Sequence, residues 1–133
     1  MSHEISWLVP NKVVNMYVNG EMTLESLAAF SQDVIRYIEA SDAPLVHLLI
    51  DERDMGGFPG QIKRVLDTAE FLRHPRLGWF VIYGTDNKIL KFISYMVAQV
   101  VQIRHRRFVT QAEAIAFLQG IDATLPNLNE VQS

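Results

Sequence analysis

No cysteine occurs anywhere in the 133 residues. Disulfides, thiol catalysis and cysteine-ligated zinc are thereby excluded. Charge of one sign is equally scarce. Twelve basic against 15 acidic side chains leave a formal net charge of −3, which offers no general attraction to nucleic acid or anionic lipid. Long apolar runs are missing too. The most apolar stretch, Ile89 to Ile103, is broken by Lys91, Ser94, Gln99 and Gln102, and is too short and too polar to cross a bilayer. The opening Met1-Ser2-His3-Glu4-Ile5-Ser6-Trp7 has neither a basic n-region nor an apolar h-region, so no signal peptide and a cytoplasmic location are expected. The chain contains no Gly-x-Ser-x-Gly elbow, no phosphate loop ending in Lys-Ser or Lys-Thr, and no His-x-x-x-His pair. The local signatures of serine hydrolysis, nucleotide binding and metal catalysis are therefore absent, and neither a cofactor nor a metal is expected.

What is present is the balance of an ordinary folded domain, 49% apolar and 20% charged. Residues 1–120 read as a single domain, and 121–133 as a polar tail containing Pro126. Ile5 to Val9 and Val13 to Val18 alternate as two strands around Pro10-Asn11-Lys12. Thr23 opens a helix with Leu24, Leu27, Ala28, Ser31, Ile35 and Ile38 on one face. Leu45 to Ile50 is a short apolar strand, ended by Asp51-Glu52-Arg53-Asp54 and the breaker Gly56-Gly57-Phe58-Pro59-Gly60. A helix through Ile62, Val65, Leu66, Ala69 and Leu72, a strand from Trp79 to Tyr83, a helix from Lys88 to Ile103, and a strand from Arg107 to Val109 follow. Thr110 and Glu113 have capping-box spacing for a last helix that stops at Gly120. A hairpin followed by helix–strand units predicts an α/β fold: a mixed, mostly parallel five-stranded sheet with four helices, gathered mainly on one face.

Four segments carry a resemblance: Gly20-Glu21-Met22-Thr23-Leu24-Glu25, Leu48-Leu49-Ile50-Asp51, Trp79-Phe80-Val81-Ile82-Tyr83-Gly84, and Arg107-Phe108-Val109-Thr110-Gln111-Ala112-Glu113-Ala114. With them the chain resembles STAS domains and, more closely, the bacterial SpoIIAA-like family, from about Trp7 to Leu118. The resemblance implies a β-α superhelix with strands in nearly sequential order. In anti-anti-sigma members it further implies a partner kinase and a phosphorylated serine or threonine in the loop after the third strand. Here the segment Asp51 to Gln61 contains no serine or threonine, so the phospho-switch does not carry over. The SpoIIAA-like branch implies instead a small binding domain for an apolar ligand or a membrane surface.

Several residues invite a functional reading. Gly56, Gly57 and Gly60 precede a helix, whose free N–H groups could hold an anion; a flexible turn is the plainer reading. Asp51 and Asp54 sit at the carboxyl end of a parallel strand, where open sheets place ligands. With His47 they define the rival reading, an enzyme. Arg104-His105-Arg106-Arg107 is the one basic run, expected to be solvated at the end of the third helix, with no nucleic-acid role. That helix presents an apolar arc wider than the roughly 100° needed to dock on a sheet. Its excess, or a sheet face with Tyr17, Trp79 and Tyr83, would suit a homo-oligomer. A cavity lined by Val65, Leu66, Phe92, Ile93, Met96 and Val97 would suit an apolar molecule, with Lys63, Arg64, Lys91 and Arg104 meeting an acidic headgroup. The favoured expectation is a non-catalytic binding domain of this kind. A protein-partner module without the phospho-switch is the alternative beside the enzyme.

Overall fold

The computed structural model describes residues 2–84 and 87–126. Ser2–Val9 (β1) and Val13–Glu21 (β2) pair as an antiparallel hairpin. Its turn places Asn11 in the left-handed region at φ 69°, which asparagine tolerates better than most side chains. Thr23 then caps Leu24–Ala40 (α1): its Oγ1 accepts the Ser26 N–H at 3.1 Å, and Ser26 Oγ accepts the Thr23 N–H at 2.7 Å. The inward ridge of α1 is Leu27, Phe30, Val34 and Ile38, with Ser31 beside it. Ala28, expected on that face, is exposed, because the larger Phe30 and Val34 complete the i, i+3, i+4 ladder and turn the helix toward themselves.

The third strand runs Val46–Gly57 (β3), well past the Ile50 at which its pattern suggested an end. Asn19, Gly20 and Glu21 of β2 pair with Asp54, Met55 and Gly57. Those backbone bonds satisfy the strand where its side chains turn polar. Asp51 and Glu52 thereby become buried strand residues, and Gly56 and Gly57 become extended ones rather than a turn.

The chain continues through Ile62–Thr68 (α2), a 3-10 turn at Glu70–Arg73, Leu77–Tyr83 (β4), Lys88–Val101 (α3), His105–Phe108 (β5) and Gln111–Ile121 (α4). The sheet order is β1-β2-β3-β4-β5, antiparallel only between β1 and β2. The five-stranded mixed sheet with four helices is the architecture that the alternation implied. Asn87 caps α3, its Oδ1 accepting the N–H groups of Ile89 and Leu90. Thr110 caps α4, accepting the Glu113 N–H. No helix among the described residues is long and apolar enough to cross a membrane.

Two cores flank the sheet. On one face α1, α2 and α3 close over Val14, Met16, Val18, Leu48 and Ile50. On the other, Ala114, Ile115 and Leu118 of α4 pack against Val13, Leu49, Val81 and Tyr83. Trp79 meets Phe117 edge-on at 5.0 Å. This corrects the expectation of a free sheet face at Trp79 and Tyr83: α4 packs there and Tyr83 is buried, while Tyr17 lies outside that core. The expected tail is also shortened. Asp122 accepts a hydrogen bond from His47, and Leu125 packs on the second core, so the fold extends past residue 120. Residues 127–133 of that tail lie outside the described residues.

Candidate functional site

Even-numbered residues of β3 face α1–α3. Val46, Leu48 and Ile50 join that core, and the alternation carries Glu52 to the same side. Glu52 lines a cavity of about 70 Å³ between the sheet and the three helices. Every other side chain lining it is apolar except Ser94 and His105. The volume exceeds what one water needs and accommodates a short hydrocarbon segment.

The polar end of this cavity is assembled from three elements. β5 alternates too, so His105 and Arg107 point inward while Arg106 and Phe108 point to the α4 side. Arg106 stacks over Phe108 and Phe117, its guanidinium carbon 5.5 and 5.0 Å from the ring centres. Arg107 pairs with Ile82 of β4 in register and reaches across it to Glu52, Nη1 to Oε1 at 2.8 Å. Its Nη2 donates to Ser94 Oγ of α3 at 2.7 Å. The Arg107 side chain is only 12% exposed, which corrects the expectation of a solvated basic run at a helix end: from His105 on, the run is a strand, and His105 and Arg107 face inward. Burial pushes the Glu52 carboxyl up, while Arg107 pulls it back down. His105 is held below the usual imidazole range, first by burial and then by the Arg107 charge. Its Nε2 is buried and meets no hydrogen-bond partner among the described residues.

Of the residues expected to line an apolar site, Val65, Ile93 and Val97 do so. Leu66, Phe92 and Met96 do not. α3 turns the ridge Leu90, Ile93 and Val97 inward. At about 100° per residue, Phe92 and Met96 then fall on the next face round. Phe92 is 62% exposed. Leu66 sits one step round α2 from Val65 and packs half-buried against the core outside the cavity.

The carboxylates at the strand ends form a different cluster. Asp51 Oδ1 accepts the Arg53 N–H at 3.0 Å, and Arg53 Nε lies 3.1 Å from Oδ2. The Tyr17 hydroxyl donates to Asp54. Burial, then the Asp51 charge, pushes Tyr83 up to about 12. His47 lies elsewhere, its Nδ1 accepting the Trp79 N–H at 2.9 Å and its Nε2 bonded to Asp122 at 2.9 Å. Four residues of strand, about 13 Å, separate His47 from Asp51, with the fully buried Leu49 between them. None of Asp51, Asp54 and His47 lines the cavity. Gly56 and Gly57 belong to the β2–β3 ladder and Gly60 faces open space, so the anticipated cradle for an anion is not formed before the short, seven-residue α2. Among the described residues no three His, Asp or Glu side chains group to hold a metal.

A second, more polar depression of about 390 Å³ lies between the Glu70–Arg73 turn and the α3–β5 connection, with Arg73, His74, Gln102 and Arg104 on its walls.

Two solved structures are similar to this chain in overall fold. One is an uncharacterised DUF3478-family protein with a SpoIIAA-like fold from Shewanella loihica PV-4, at a TM-score of 0.63 and 12% identity over 88% of this chain and 92% of that one. The other is the anti-sigma factor antagonist SpoIIAA in its unphosphorylated form, at a TM-score of 0.58 and 12% identity over 91% of this chain and 99% of that one. The chain has the SpoIIAA-like fold. No family model and no curated protein matches its sequence. Within the SpoIIAA-like frame, Glu52, Ser94, His105 and Arg107 are the site residues that the sequence reading missed. Continuing the Val46-Leu48-Ile50 alternation by one step finds Glu52, and reading His105 to Phe108 as a strand finds the other pair.

Proposed function

We propose that this domain is a non-catalytic binding module that takes an apolar ligand between its sheet and the helices α2 and α3. The cavity carries this reading: an apolar enclosure with one polar end is the usual form of a small-molecule site. The helices over it are lightly anchored. Val65 is the one buried residue of α2, and Leu90, Ile93 and Val97 are those of α3. Elements with so few buried contacts open most readily, which admits a ligand longer than the cavity as it stands. The candidate carboxylates are already engaged by Arg53 and Tyr17 and stand apart from His47, which argues against turnover.

Titration with aliphatic compounds of increasing chain length should raise the melting temperature by mass action. Val97→Phe, which fills the space, should raise it without ligand and abolish the response. Absence of a shift at every chain length would defeat the reading.

A second reading rests on the outer face of α3. Ile89, Phe92 and Val100 are 70%, 62% and 59% exposed, and with the half-buried Met96 they form one stripe. Lys88 begins the helix, and Arg73 and Arg104 wall the polar depression at its far end. An anionic bilayer surface complements both the stripe and these cations. Sedimentation with phosphatidylserine vesicles should deplete the protein from solution, and Phe92→Asp should abolish this. A stable dimer that Phe92→Asp dissociates, with no vesicle binding, would instead assign the stripe to a second copy.

A further inference from the structure

From the polar end of the cavity we infer the chemistry of the ligand's head: an uncharged hydroxyl on an aliphatic chain, hydrogen-bonded to His105 Nε2. This rests on the reading of the cavity as a ligand site and deepens it.

The charges decide against ionised heads. Glu52 and Arg107 already neutralise one another at 2.8 Å, with side chains 8% and 12% exposed. A carboxylate entering beside them would leave one negative charge buried without a counter-charge. An ammonium would face Arg107 with like charge. Either is heavily penalised away from water. Burial and the neighbouring Arg107 also favour the neutral imidazole, so His105 supplies no charge for an anion to meet.

The hydrogen-bonding inventory decides for a hydroxyl. Among the described residues, the Arg107 guanidinium donates to Glu52 and Ser94. His105 lines the cavity, yet its buried Nε2 finds no protein partner among the described residues. A neutral imidazole nitrogen is a donor in one tautomer and an acceptor in the other. A hydroxyl both donates and accepts, so it satisfies either form. A bare alkane satisfies neither and leaves the nitrogen desolvated. The remaining walls, among them Ile93, Val97, Ile82 and Phe80, suit a hydrocarbon chain. This differs from the acidic headgroup that the sequence alone suggested: Lys63, Arg64, Lys91 and Arg104 do not line the cavity, and Arg107 is already engaged by Glu52 and Ser94.

The experiment compares 1-hexanol, hexanoate and hexane on the intact protein at pH 8, by thermal shift and by ¹⁵N NMR of the imidazole nitrogens. Hexanol should bind about fivefold or more tighter than hexane, the worth of one buried hydrogen bond, and tighter than hexanoate. It should move the His105 Nε2 resonance, which hexane should not. His105→Phe should keep hexane binding and lose the preference for hexanol. If that variant fails to fold, the NMR signature on the unaltered protein still decides. Equal affinity for hexanol and hexane, or a preference for hexanoate, overturns the hydroxyl assignment and leaves the cavity reading intact. No binding of any of the three overturns both.

Discussion

Arg107→Met alone is expected to destabilise the domain by about 3–5 kcal/mol, the range for stranding one member of a buried ion pair. The substitution removes the guanidinium that spans β4 to reach Glu52 and leaves Ser94 Oγ without its donor. Glu52 then keeps the burial that already raises it and loses the partner that lowers it. A carboxyl raised in the folded state supports stability below its unfolded value and loses that support as pH rises through the folded value. The deficit should therefore be largest near neutral pH and shrink toward pH 5. Glu52→Leu together with Arg107→Met should recover most of the loss, since an apolar pair of similar volume avoids desolvating two charges. Urea unfolding of the two variants measures the contrast. A single variant less than about 1 kcal/mol below the unaltered protein, or no recovery in the double, would remove the pair from its assigned role.

Gly78→Ala is expected to cost about 3 kcal/mol, although glycine to alanine in a strand ordinarily helps. A Cβ at this position would lie 2.4 Å from His47 Nδ1 and 2.8 Å from Cε1. The ring has nowhere to go. Its Nδ1 accepts the Trp79 N–H, which fixes the proton on Nε2, and that N–H donates to Asp122. Asp122 is itself held down at about 2, first by Thr124 and also by His47. In a His47→Ala background the same glycine substitution should be nearly neutral, so a double-mutant cycle should show strong coupling. Additive effects would mean that the ring is not what Gly78 accommodates.

The parts of this domain differ in how far they can be read from residues in order. The hairpin and the succession of helices and strands are legible because period-2 and period-3.6 patterns alternate between clear breakers such as Ser41-Asp42-Ala43-Pro44. The end of β3 is not. Asp51-Glu52-Arg53-Asp54 has a loop's composition, and the pairing with Asn19 and Gly20 that keeps it extended is a non-local fact. Val65, Ile93 and Val97 were recoverable from helical spacing. Phe92 and Met96 were not separable from them, because a wide apolar arc does not say which of its edges meets the sheet. His105 and Arg107 were hidden inside a basic run whose alternate members face opposite cores.

β3 and β4 are covered on both faces, but α2 and α3 press on only one of them. The second face of the sheet is thus covered by α4, whatever happens in front. Displacing α2 or α3 breaks no strand pairing and leaves Leu49 and Val81 sealed. If the cavity takes a guest as proposed, its exchange would be a local event, its rate set by how fast Val65, Leu90, Ile93 and Val97 leave their neighbours rather than by global unfolding.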